Sequence, residues 1–186
     1  MFETLLHIPW ETKRVLPGTK ADGIPEALCG LLSENPDIRK QAYWHLDNCV
    51  VVQSDLYEAA WYVIPFLLEI LQASVDAGRE EVYDLLYEIG NGGARPEQVI
   101  VHENGTTYPL EAACREEVIA GWPLYLADMH HERLSVKGKA LELIESLPEV
   151  YGHVVKDLEA HMHSEVNDDF RLQIGDALRT MKETGR

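Results

Sequence analysis

The sequence predicts an all-α fold: about four helical pairs stacked as a solenoid, with one non-helical insertion. Three observations carry this. Apolar residues recur at helical spacing along most of the chain. Proline and glycine pairs cut that pattern into segments of helix length. The segments also repeat in register.

Residues 1–23 form a lead-in, with turns at Pro9-Trp10 and Pro17-Gly18. Its Phe2, Leu5, Leu6 and Trp10 are expected to cap the end of a core. From Ile24 the helical period begins, and Pro25 suits a first helical position, where a missing N–H costs nothing. Ala27, Leu28, Leu31 and Leu32 make one apolar stripe before Ser33-Glu34-Asn35-Pro36 breaks it. A second helix places Ile38, Ala42, Leu46 and Cys49 on one face, and Gln53-Ser54 separates it from Asp55–Gln72. That stretch is the most apolar in the chain and reads as one long helix bent at Pro65. A further helix carries Val82, Leu85, Leu86 and Ile89 inward and stops at Gly90-Asn91-Gly92-Gly93.

The register is set by Pro25, Pro65 and Pro123. Fourteen residues after each stands a base: Arg39, Arg79, Lys137. Seventeen after stand Ala42, Val82 and Ala140; twenty-one after stand Leu46, Leu86 and Ile144. A fourth copy keeps the second half, as Arg171, Ile174 and Leu178. The repeats are 24–50, 55–90, 110–147 and 149–183 of a single domain. Intervals of 40 and 34 between the bases lie near HEAT-type lengths, and the interval of 58 implies an insertion at 91–109. There Val99, Val101, Thr106 and Tyr108 flank Asn104-Gly105, a pair suited to a type I′ turn, so a loop or small β-hairpin is expected. The recurring base opposes the helix dipole, so it should find compensating carbonyls or an acid of the next unit.

The chain resembles bacterial HEAT-repeat proteins, largely uncharacterised, of the armadillo-type helical-repeat class. The resemblance rests on Ile8-Pro9-Trp10, Asp37-Ile38-Arg39, Tyr57-Glu58-Ala59, Ile64–Leu71 and Gly121-Trp122-Pro123-Leu124-Tyr125. The chain has Val52-Gln53-Ser54 where members often carry His-Gln-Gly. The resemblance implies a HEAT-like α-α superhelix. Related helical-repeat proteins include immunity proteins that neutralise bacterial toxins.

Composition narrows the function classes. There are 32 acids against 16 bases, for a net charge of −16, which disfavours nucleic acid and favours a basic protein partner. Three cysteines without a CxxC fit a reducing, cytoplasmic setting with unpaired thiols. The N-terminal residues do not read as a secretory signal, and Pro65 and Glu69 interrupt the best membrane-span candidate, so no membrane role is expected. No phosphate loop, HExxH or GxSxG is present, and no cofactor is expected. His102-Glu103 and His131-Glu132 are two His-Glu pairs, fewer than the four that HEAT-like metal hydroxylases use. His161 and His163 suit the dipole of a last helical turn.

Charge is segregated. From Asp47 to Glu88 nine acids face one base, half the net charge in 42 residues. Trp44 and Asp47 share the polar face of one second helix; Glu80, Glu81, Asp84, Tyr87 and Glu88 lie on that of the next, with Tyr83 at its edge. With His102, Glu103 and Tyr108 of the insertion, these are the candidate partner-binding residues. The leading expectation is a non-enzymatic protein-interaction module, specifically an immunity protein that blocks a basic toxin through an acidic groove. The alternatives are a metal- or ligand-dependent enzyme on the same scaffold, hydroxylase- or lyase-like, and a scaffold subunit of a larger complex. The oligomeric state is left open.

Overall fold

The computed structural model describes residues 2–73, 75–95, 97–101 and 105–184. The chain is mostly helical and divides into two compact units, Met1–Val118 and Ile119–Arg186.

In the first unit the lead-in forms three short 3₁₀ turns. Leu5 and Trp10 are buried, and Phe2 packs edge-on against Phe66 at 5.7 Å, as a core cap should; Leu6 instead points to solvent. α1 (Ile24–Gly30) and α2 (Pro36–Val50) form the first pair. Asn35 caps α2 by accepting the Asp37 N–H at 2.9 Å, and Pro36 takes a first-turn position. Ile38 is exposed, so the buried stripe of α2 begins one turn later, at Ala42.

The long helix read from Asp55 starts only at Ala59. β1 (Val51–Val52) and β2 (Asp55–Leu56) pair antiparallel about a two-residue turn, Gln53-Ser54, and Gly93 adds a bridge to Asp55. This consumes the first residues of the apolar stretch. α3 (Ala59–Gln72) then carries Pro65 on its exposed side, and Val63, Ile64, Phe66, Leu67, Ile70 and Leu71 are buried. The Arg14 carbonyl accepts the Ala59 N–H at 3.1 Å, so the lead-in caps this helix. α4 (Arg79–Asn91) follows Gly78, whose φ of +78° and backbone approach to Leu31 leave no room for a side chain.

The insertion contains a hairpin, β3 (Val99–Val101) with β4 (Thr107–Pro109), in the register Val101↔Thr107. The turn expected at Asn104-Gly105 rests on Asn104, which lies outside the described residues, as do His102 and Glu103. α5 (Leu110–Ala120) follows the hairpin.

The second unit holds α6 (Trp122–Asp128), α7 (Leu134–Glu145), α8 (Tyr151–Ser164) and α9 (Asp168–Thr184). In each unit the second helix of one pair packs against the second helix of the next: α2 on α4, and α7 on α9. The repeated positions fill the core. Ala42, Val82, Ala140 and Ile174 are all buried, as are Leu46, Leu86, Ile144 and Leu178.

The recurring bases also find the contacts that the dipole argument demands. Arg39 donates to the Ser33 carbonyl at 2.9 Å, Arg79 to Ala73 at 2.8 Å and Arg171 to Glu165 at 3.2 Å. In all three the acceptor lies six residues back, in the turn entering the helix. Arg79, only 6% exposed, binds the carbonyls of Leu71 and Val75 as well. Lys137 takes the other solution and reaches the Glu165 carboxylate at 2.6 Å. Arg39 uses both, because its Nε also donates to Glu81 of the next pair at 3.2 Å.

Candidate functional site

The helical faces that carry the acidic residues are brought together by the packing of α2 on α4. One contact and one charge influence set their register. Arg39 pairs with Glu81 near the helix starts, and the Glu88 charge acts on Asp47 about two turns further along. The partners are 42 and 41 positions apart, so the two helices run side by side in the same direction.

Along this face the Trp44 ring stands 52% exposed, held edge-on by Tyr43 at 5.1 Å. Its carbonyl accepts the Asn48 amide at 2.6 Å, which fixes the adjoining turn. Glu80, Glu81, Asp84, Tyr87 and Glu88 are half-buried. Tyr83 is buried and belongs to the core, not to the edge of the face. Asp47 is also half-buried, and its carboxyl is raised above the usual range, first by loss of hydration and then by the Glu88 charge. Glu81 is paired with Arg39 at 3.2 Å.

The insertion contributes Tyr108, whose hydroxyl donates to Glu116 of α5; that contact raises the phenol's pKa. His102 and Glu103 lie outside the described residues. His131 accepts the Arg133 N–H at Nδ1, 3.0 Å away, while Glu132 faces solvent. Among the described residues no three His, Cys, Asp or Glu side chains gather in a metal-binding arrangement.

Two arrangements were not foreseen from the residues. The first is a Cys-His contact on α2, with Cys49 Sγ 3.8 Å from His45 Nε2. Burial pushes this thiol up, and Sγ lies 3.6 Å from the Lys20 carbonyl, so the pair is not poised as a thiolate nucleophile. Cys114 is buried as well and is pushed up to about 12. The i, i+4 spacing of the pair was readable, but its burial was not. The second is a cation site on the lead-in. Lys13 Nζ sits 3.9 Å over the Tyr62 ring and 3.8 Å from Glu58, which Arg14 also binds at 3.0 Å. It ties Glu58, a residue of the family-like Tyr57-Glu58-Ala59 segment, to fastening the lead-in.

All three cysteines are unpaired, and among the described residues no helix is long and apolar enough to cross a membrane. Compared with known proteins, the chain matches no family model and no curated protein.

Proposed function

We propose that this protein is a non-enzymatic binding module whose α2–α4 face receives a basic protein, and that it acts as an immunity protein covering the active site of a basic toxin. The feature that carries this reading is the α2–α4 packing, which goes with half-buried Asp47 and Glu88 and exposed Trp44 on the outward sides of these helices. Burial, first, and the Glu88 charge, second, disfavour the charged Asp47 carboxylate in the free protein. A lysine or arginine beside it offsets that cost, and the tryptophan supplies apolar contact. The second-helix packing in each unit supports reading the pairs as HEAT-like repeats of an α-α superhelix, whose second helices commonly line the binding surface. The 91–109 insertion would extend the contact. Unpaired thiols suit work in the cytoplasm.

The test is capture of the partner from native cells at low and then high salt. A basic protein released by salt is expected. Reversing the charge of Asp47 and Glu88 to lysine should cost at least about tenfold in affinity. An acidic partner, or binding indifferent to salt and to both reversals, overturns the proposal.

A further inference from the structure

In the second unit, a buried imidazole lacks hydrogen bonds. His161, in the last turn of α8, is 7% exposed, and neither ring nitrogen has a hydrogen-bond partner. Buried polar nitrogens are nearly always satisfied, so the exception calls for a cause. A last-turn histidine serving the helix dipole should instead resemble exposed His163, whose Nδ1 lies 2.6 Å from the Glu159 carbonyl.

Groups from α7, α9 and the turn before α7 stand around His161; α6 also packs on α8 and ends in buried Asp128. Nε2 stands 3.2 Å from Glu165 Oε2, without hydrogen-bond alignment. That oxygen is already held by Lys137 of α7 at 2.6 Å. The His130 ring, from the turn ahead of α7, meets the imidazole edge-on at 4.6 Å. From α9, Phe170 faces the ring at 6.5 Å, and Arg171 binds the Glu165 carbonyl.

We propose that His161 is a proton-operated latch: protonation of its ring releases the α8–α9 turn from Lys137 and so from α7. With the ring neutral, the cluster balances one ammonium against one carboxylate. A protonated ring sets a second cation against the same Glu165 oxygen and buries an Nδ1–H with no acceptor. Turning the ring into water relieves both, and the Glu165 turn must move to let it out.

Burial, first, and the neighbouring His130, second, hold the His161 pKa below its ordinary 6.5, while Glu165 opposes them. The unfolded or opened chain therefore binds the proton more readily than the closed one. Stability from this site is complete above pH 6.5 and declines as the pH falls below it. Linkage limits the effect to about a tenfold rise in the open fraction per pH unit.

The experiment uses the full chain between pH 7.5 and 5. Histidine ring and backbone amide resonances are followed, and urea unfolding is compared for wild type and His161→Phe. His161 is expected to titrate below the ordinary imidazole value of 6.5, and the amides of Glu165 and Asn167 should shift with it. The unfolding constant of wild type should rise over this window by up to about tenfold per pH unit more than that of His161→Phe. Equal slopes, or titration of His161 at or above 6.5 with an unmoved turn, overturn the latch. If His161→Phe does not fold, His130→Ala decides. It should move the His161 titration and the turn shift together to higher pH, and unchanged positions of both refute the proposal.

Discussion

Lys137 and Glu165 meet at 2.6 Å although 28 positions separate them, and the Glu165 side chain is almost wholly out of water. Lys137 first, then the Asn167 N–H, hold this carboxyl at about 2, well below its usual 4.5. Its contribution to stability is therefore complete above pH 4.5 and is lost as the pH falls toward 2. Glu165→Ala strands a half-buried ammonium and should cost about 3 kcal/mol at pH 7. Urea unfolding of the variant at pH 7 and again at pH 2.5 checks this, because the difference from wild type should shrink in acid.

Asp47 has the opposite sign. Its carboxyl is raised above the ordinary 3.8, so the charged form is disfavoured in the folded chain. The cost is present at neutral pH and is relieved as the pH falls through the raised value. Asp47→Asn should stabilise the protein by about 0.5 kcal/mol at pH 7, a figure kept small because the group is only half-buried. The gain should disappear near pH 3.5 in matched denaturation curves. If the α2–α4 face binds a cationic partner, the same substitution weakens that complex.

The hairpin β1–β2 turns through Gln53 at φ +51° and Ser54 at φ +68°. Both residues of a type I′ turn need this left-handed region, which costs a residue with a Cβ about 1–2 kcal/mol. Ser54→Gly should therefore raise the unfolding free energy by about 1 kcal/mol, less what glycine loses in unfolded-chain entropy. Thermal unfolding of the single variant measures it, and no gain would show that the turn is relaxed.

Arg79 holds three carbonyls from a buried position. Arg79→Met keeps the stem and removes the donors, leaving the Leu71 carbonyl unmet in a buried place and those of Ala73 and Val75 in part-buried ones. A loss of about 3 kcal/mol is expected. Arg39→Met should cost about 1 kcal/mol, since its carbonyl partners lie nearer the surface. Parallel urea titrations of the two variants test the ranking.

The recurring positions were legible because each answers a physical demand. Ala42, Val82, Ala140 and Ile174 are buried small or branched residues, and each base found carbonyls or a carboxylate. Gln53-Ser54 was read only as a separator because it lacks the Asn-Gly chemistry of such turns. Tertiary bonds impose the shape instead: Gly93 donates to the Ser54 carbonyl and accepts from Leu56 N–H at 2.8 and 2.7 Å. On the candidate face, charge concentration was visible, but the Arg39–Glu81 pair and the influence of the Glu88 charge on Asp47 depend on how α4 lies beside α2. His161 and Glu165 stand four apart in the sequence, yet their burial depends on α7 and α9.

The six-residue reach of Arg39, Arg79 and Arg171 makes each arginine a ruler for the turn it closes. Lengthening such a turn by one residue carries its carbonyl out of range, so these three connections are held to a fixed measure. Connections between pairs are not measured by these three bonds. The long departure at 91–109 falls in one of them, after α4 and before α5. Change in this architecture is channelled to the seams, where new contact surface can be added without disturbing the count.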